Sequence, residues 1–189
     1  MLVHETGFPG LLVLTPKVFQ DERGFFLESY SRNTFEQLGI TCDFVQDNHA
    51  YSKDIGVLRG LHFQAPPVAQ AKLVWVTRGE VVDVVVDLRK GSPTYGKWVQ
   101  VVLSAANFKR LIIPRGFAHG YVTTMPDTEF QYKVDAPYSP DHDSGIAWDD
   151  PDIGVDWASA LKGVTPILSE KDKRLPRLVN FDSPFNFEG

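Results

Sequence analysis

Ile113-Pro114-Arg115-Gly116-Phe117-Ala118-His119-Gly120 reads as a strand end, a tight turn and a second strand that places a histidine three residues past the turn glycine. Proline presets φ and glycine tolerates the reversed backbone, so Pro-Arg-Gly turns the chain. About fifty residues earlier, Gly56-Val57-Leu58-Arg59-Gly60-Leu61-His62-Phe63-Gln64 ends another strand with His62 and Gln64 on one face. With Gly near roughly 7% and Pro near 5%, a chance Pro-x-Gly-x-x-His arises in on the order of one or two chains of this length per hundred. A plain turn before a core histidine would look the same, so the histidines need support from the rest of the chain.

Working outward, short runs of Val, Ile, Phe, Tyr and Trp are punctuated by thirteen prolines and fifteen glycines, which predicts a β-rich chain with frequent turns. The expected strands are 10–14, 24–30, 42–52, 56–64, 71–78, 80–88, 96–103, 109–113, 118–124, 128–134 and 145–148. Their even spacing, with no long helices between them, suits an all-β sandwich or jelly roll. Two helical signals interrupt it. Asn33-Thr34-Phe35-Glu36 resembles a capping box closed by Gly39, and Ser169-Glu170-Lys171-Asp172 repeats the pattern. Without repeats, low-complexity tracts or linkers, residues 1–189 read as a single domain.

The composition, 43% hydrophobic and 23% charged, is that of a soluble globular chain. One cysteine, Cys42, cannot form an internal disulfide, which points to a reducing compartment. The N-terminus lacks the basic and apolar regions of a signal peptide, and Asp83 and Asp87 break the valine runs far below membrane-span length. A cytoplasmic protein with no membrane partner is expected. The formal net charge of −5 opposes nucleic-acid binding, which needs a broad basic surface. A small diphosphate ligand stays open, because a few placed arginines suffice for it.

Strand parity selects polar residues that face inward. Tyr132 shares a face with Phe130 and Val134, and Lys72 with Val74 and Val76. A lysine on an apolar face is costly unless it is paired or faces a cavity. Each has a plainer reading: Tyr132 as a core tyrosine, Lys72 as a snorkelling lysine, Asp172 as a helix cap, His49 as a loop residue. One lumen receiving two histidines, a lysine and a tyrosine is what raises the set above those readings.

The histidine segments resemble the two halves of a cupin signature, whose metal-binding members carry His-x-His, a following Glu and Pro-x-Gly-x-x-His. Here Gln64 replaces the second histidine, and no acid occurs between Gln64 and Glu80. Two imidazoles and an amide fall short of a transition-metal ligand set, which turns the histidines toward proton transfer with no metal. More specifically, Asp21-Glu22-Arg23-Gly24-Phe25-Phe26, Phe44-Val45-Gln46-Asp47-Asn48-His49, residues 56–64 and 113–120, Gly145-Ile146-Ala147-Trp148-Asp149-Asp150-Pro151 and Leu168-Ser169-Glu170-Lys171-Asp172 resemble the dTDP-4-dehydrorhamnose 3,5-epimerase family, over roughly residues 10–176. The resemblance implies a cupin jelly roll, or double-stranded β-helix, with a few short peripheral helices. It also implies a homodimer with shared sites, and an isomerase that uses no cofactor to invert C3 and C5 of dTDP-4-dehydro-6-deoxy-D-glucose, yielding dTDP-4-dehydro-L-rhamnose.

By that resemblance His62 is the base, Asp172 its partner and Tyr132 the acid, while Lys72 and His119 hold the sugar. Arg23 and Glu28 come from the neighbouring subunit. Gln46, Asp47, Asn48, Arg59, Asp143 and Lys171 contact the nucleotide sugar, and Tyr138 stacks on thymine. Phe63 and Asp143 stand where the family more often has tyrosine and glutamate. Ala136-Pro137 could also reshape the mouth of the site. Three other readings remain at this point: an epimerase of one centre or a keto-isomerase, a metal-dependent cupin oxygenase, and a non-catalytic sugar-nucleotide binder.

Overall fold

A computed structural model describes residues 1–188. In chain order it comprises β1 (Leu2–Glu5), β2 (Leu12–Thr15), β3 (Val18–Asp21), β4 (Gly24–Leu27), α1 (Arg32–Gln37), β5 (Gln46–Ser52), β6 (Leu58–Gln64), β7 (Lys72–Arg78) and β8 (Glu80–Asp87). Then follow β9 (Trp98–Ser104), β10 (Arg110–Ile113), β11 (Phe117–Thr123), β12 (Thr128–Val134), β13 (Asp143–Gly145) and α2 (Trp157–Leu161). One antiparallel sheet has the order β1-β2-β10-β7-β12-β5 and a second β13-β6-β11-β8-β9, while β3 and β4 pair only with each other. The neighbours in each sheet are mostly far apart in sequence, as a jelly roll requires.

Period-two alternation assigns each face. Along β8, Val81 and Val85 enter the core between the sheets, where they meet Val74, Leu103, Leu111 and Phe130. Val82, Val84 and Val86 face the other way, under Phe63, Ile146, Trp157 and Phe185 of the C-terminal third. Both faces of β8 are therefore buried, which explains its unbroken valines. Each such side chain contributes about 1.5–3 kcal/mol relative to exposure. The six-stranded sheet is covered on its outer face by Phe35 of α1 and Ile40, packed on Leu14, Leu73 and Ile112.

Thr128–Val134 matches its expected bounds, and the other long strands differ from theirs by one to four residues. β1 escapes sequence reading because all four of its residues are exposed and alternate with nothing. β3 is likewise a short exposed strand. The ladder expected at 145–148 instead occupies Asp143–Gly145, and 42–45 stay outside β5. Helix α1 is capped by Ser31, not Asn33: Ser31 holds an extended backbone and its Oγ accepts from the Thr34 N–H at 3.4 Å. The burial of Phe35 sets where that turn begins. The second cap signal forms a single 3₁₀ turn at Asp172–Arg174. Among the described residues, α2 has no counterpart in the sequence reading, although Asp156 caps it through the Ser159 N–H at 3.1 Å.

Candidate active site

A cavity of about 500 Å³ opens into the barrel between the sheets, with His62, Lys72, His119, Tyr132 and Asp172 among its walls. Four strands aim these groups. On β6 and β11, His62 lies directly opposite His119. The two strands close tightly there because Gly60 holds φ +135°, and a Cβ on it would sit 2.5 Å from the Gly120 Cα. Lys72 opens β7 and Tyr132 sits near the end of β12, both on the inward face that parity predicted.

Asp172 arrives from the 3₁₀ turn 110 residues after His62, and its Oδ1 lies 2.5 Å from His62 Nε2. The Ser169 hydroxyl donates to Asp172 Oδ2 at 2.7 Å, while the Asp172 N–H donates back to Ser169 Oγ at 3.1 Å. The cap and the catalytic-type contact thus occupy the same residue. Gly145 lets this segment approach, since a Cβ there would meet Leu61 O at 2.3 Å and Leu175 at 2.9 Å. Burial pushes the Asp172 carboxyl up, but the hydrogen bonds from His62 and Ser169 outweigh it and hold the group below its ordinary range. A carboxylate acceptor at that distance favours the His62 tautomer that carries its proton on Nε2, with the Nδ1 lone pair free to accept one.

A second imidazole–carboxylate pair lies deeper. His119 Nε2 sits 2.8 Å from Asp83 Oδ2, both buried. Burial pulls His119 down and pushes Asp83 up, each partly opposed by the other. Lys72 faces this pair. Burial draws its ammonium from 10.5 down to about 8, with attraction from Asp83 and Asp143 opposing the shift and repulsion from Lys171 adding to it. Burial and the nearby Asp143 charge push the Tyr132 phenol upward, against Arg59, so it stays a proton donor through neutral pH.

Arg59, Lys171 and Ser169 line the mouth. Lys171 Nζ donates to Asp143 Oδ2 at 2.5 Å, and the exposed Tyr138 donates its hydroxyl to the same oxygen at 2.9 Å. Gln46 Oε1 accepts from the Tyr138 N–H at 3.0 Å, and Gln46 Nε2 donates to Asn48 Oδ1 at 2.9 Å. Asp47 points to the opposite face of β5, where it accepts from Lys133 Nζ at 2.6 Å. His49 is also on that face, 3.3 Å from Glu129. Arg23 and Glu28 do not enter this cavity: Arg23 is bound to Asp21, and Glu28 accepts from Thr34 Oγ1 at 2.8 Å.

Gln64 serves the mouth indirectly. Its Nε2 donates to Pro137 O at 3.0 Å and its Oε1 accepts from the Ser139 N–H at 2.8 Å, pinning the loop that carries Tyr138. Phe63 packs away from the cavity against Phe181 and Phe185. Sequence reading missed Asp83 and Ser169 as site residues. Asp83 was legible, because it shares the inward face of β8 with Val81 and Val85. A larger groove of about 730 Å³ between Pro114 and Phe185–Glu188 holds an Arg115–Asp135 ion pair at 2.9 Å but no imidazole, so the acid–base chemistry belongs to the barrel cavity.

The family model for dTDP-4-dehydrorhamnose 3,5-epimerase matches residues 5–180. The dTDP-4-dehydrorhamnose 3,5-epimerase of Salmonella typhimurium is 53% identical over 179 residues, covering 94% of this chain and 96% of that protein. A structure of the Bacillus anthracis enzyme of that name with TDP and PPi bound superposes with a TM-score of 0.89 at 50% identity, covering 94% of this chain and 99% of that one. The Legionella pneumophila dTDP-6-deoxy-D-glucose-3,5-epimerase in complex with dTDP-4-keto-L-rhamnose gives a TM-score of 0.93 at 41% identity, over 100% and 99% of the two chains.

Proposed function

Because this chain belongs to the dTDP-4-dehydrorhamnose 3,5-epimerase family, we propose how its cavity divides the work of epimerisation at C3 and C5 of dTDP-4-dehydro-6-deoxy-D-glucose. The chain is an isomerase with the cupin jelly roll of its structural relatives. The 4-keto group acidifies the protons on both neighbouring carbons, so each inversion is a proton removed from one face and returned to the other. Protons move and no electrons are exchanged overall, so the chemistry calls for no redox cofactor. It needs a base, a cation for the enolate oxygen and an acid across the ring.

The observation that carries this reading is the His62–Asp172 pair at 2.5 Å in one cavity with Lys72 and Tyr132. His62 removes the proton, and Asp172 holds the imidazole in place and stabilises its charged form. Lys72 meets the charge that develops on the C4 oxygen, with His119, backed by Asp83, beside it. Tyr132 delivers the proton from the opposite face. Arg59 and Lys171 supply positive charge for the diphosphate at the mouth. Incubation with dTDP-4-keto-6-deoxyglucose in deuterated water, followed by NMR at C3 and C5, tests the assignment. Deuterium at only one centre would make the chain a mono-epimerase, and none at either would end the reading.

Both site histidines direct Nε2 at a carboxylate, and Gln64 is held by loop backbone, which supports a metal-independent reaction. Activity is expected to survive exhaustive chelation. A stoichiometric transition metal whose removal stops turnover, and whose return restores it, would overturn this.

Tyr138 is 56% exposed and tied to Asp143, which also holds Lys171 of the cavity wall, and we assign it to stack on the thymine ring. Stacking contributes roughly 1–3 kcal/mol per base, so Tyr138→Ala is expected to weaken dTDP binding by about one to two orders of magnitude in calorimetry. An unchanged dissociation constant would remove Tyr138 from the nucleotide site.

Arg23 and Glu28 lie outside the cavity of their own chain, on and just after the β3–β4 hairpin. We assign them to the site of a second copy, in a homodimer with shared sites. Mixing inactive Arg23→Ala with inactive His62→Ala is then expected to restore roughly a quarter of wild-type activity. Random exchange makes half the dimers mixed, each with one intact site. Absence of rescue, with subunit exchange demonstrated, counts against sharing.

A further inference from the structure

Between β12 and β13, residues 136–139 have backbone groups held by side-chain amides. Gln70 Nε2 donates to Ala136 O at 2.8 Å and Gln64 Nε2 to Pro137 O at 3.0 Å. The N–H groups of Tyr138 and Ser139 donate to Gln46 Oε1 at 3.0 Å and to Gln64 Oε1 at 2.8 Å. Pro137 and Pro140 bring no N–H, which disfavours a ladder there. A glutamine amide donates from one atom and accepts at another without carrying charge, which suits a loop that presents both carbonyls and N–H groups.

Gln64 is the centre of this clamp. It is 4% exposed and lies on β6, two residues past His62. Its Nε2 also donates to Val68 O at 2.5 Å, so both amide hydrogens and the oxygen are engaged, and only one orientation of the amide satisfies all three partners. Directly opposite Gln64 in the β6–β13 ladder is Asp143, whose Oδ2 accepts from the Tyr138 hydroxyl. The Tyr138 ring is thus tied to the strand that carries His62 through its own hydroxyl and through both of its flanking peptides.

We infer that Gln64 is a positioning residue for the nucleotide: by holding the peptides on either side of Tyr138, it fixes the stacking ring at a set distance from His62 before substrate arrives. This rests on the assignment of Tyr138 to the thymine ring. A loop that is loose in the free protein has to be ordered on binding, and that cost is subtracted from affinity. A loop already clamped by folding avoids it. Gln64 therefore acts on binding and not on proton transfer. A glutamine that merely filled a buried position would show no coupling to Tyr138.

Calorimetry with dTDP and steady-state kinetics of Gln64→Glu and Gln64→Met test this. Glutamate keeps the shape and the acceptor for Ser139, but as a carboxylate it has no donor for Val68 O or Pro137 O. Methionine removes the polar group altogether. Each variant is expected to weaken dTDP binding roughly three- to tenfold, the effect of leaving one or two side chains to be ordered on binding. KM for the dTDP-sugar should rise in step, while kcat stays within about threefold of wild type. Burial among carbonyls favours a protonated carboxyl, which regains one donor, so the deficit of Gln64→Glu relative to wild type should shrink from about pH 8 to about pH 5, and that of Gln64→Met should not. In a Tyr138→Ala background neither substitution should weaken binding further.

An undiminished further loss in that background, or wild-type dTDP affinity in both single variants, would refute the inference and leave Tyr138 in the nucleotide site. Unchanged affinity of Tyr138→Ala would remove both. A kcat lowered more than about tenfold with dTDP affinity unchanged would place Gln64 in the chemistry and equally refute it. Should the variants not fold, amide exchange in the wild type decides: the Ser139 N–H is expected to be protected without dTDP. Exchange at the rate of unstructured chain until dTDP is added would overturn the inference.

Discussion

Replacing His62 with alanine is expected to abolish incorporation of solvent deuterium at both C3 and C5, whereas Tyr132→Phe should keep exchange and lose inversion. The two outcomes differ because the groups sit at different steps. Without the imidazole no proton leaves either carbon, and no enolate forms. Without the phenol the enolate still forms, and the base returns a deuteron to the face it came from. Tyr132→Phe preserves the ring that packs beside Phe130, so the loss is confined to one hydroxyl. General acid or base catalysis contributes roughly 10²–10⁴-fold, well within reach of an NMR time course. Wild-type turnover to the L-sugar by Tyr132→Phe, or normal exchange by His62→Ala, would show that these residues do not carry the acid and base roles.

Lys72→Met is expected to lower kcat by roughly 10²–10³-fold, the usual loss when a group that meets transition-state charge is removed, with a smaller change in dTDP-sugar affinity. The pH profile separates this from a packing defect. Burial has brought the Lys72 ammonium down to about 8, and the protonated form is the one that stabilises an enolate. The Lys72 contribution should therefore be complete below about pH 8 and decline above it, approaching tenfold per unit, as an alkaline limb separate from the loss of the His62 base in acid. Lys72→Arg keeps its charge at higher pH, so whatever activity it retains should lack this alkaline limb. A wild-type profile flat from about pH 7 to about pH 10 would exclude Lys72 as the group that carries the enolate charge.

Much of the cavity was readable residue by residue. Parity along 128–134 and 71–78 pointed Tyr132 and Lys72 inward, and they line the cavity. The same rule applied to 80–88 would have found Asp83, which looked only like a break in a valine run. Asp172 read equally well as a cap, and it proves to be both, because Ser169 closes the turn while Oδ1 faces His62. Gln64 is the opposite case. Its place two residues after His62 suggested a ligand position, yet its amide is held by Pro137 and Ser139. Sequence spacing names a face of a strand but not the hydrogen-bond partner waiting there.

By itself the sequence determined the strand-rich composition, the turn at Pro114-Arg115-Gly116 and the inward face of each long strand. It also carried the family, through ordered motifs. These properties are local: alternation has a period of two residues, and proline and glycine act on their own dihedrals. Tertiary structure alone decided that Asp172 meets His62 across 110 residues and that Asp83 meets His119 across 36. It also decided that Arg110 Nε and Nη1 lie buried with no hydrogen-bond partner among the described residues, while Asp47 turns away from the cavity. Those outcomes depend on which strands become neighbours when the two sheets close. Burial then acts on whole neighbourhoods of side chains, drawing the Lys72 ammonium down to about 8 and the Arg110 guanidinium down to about 10.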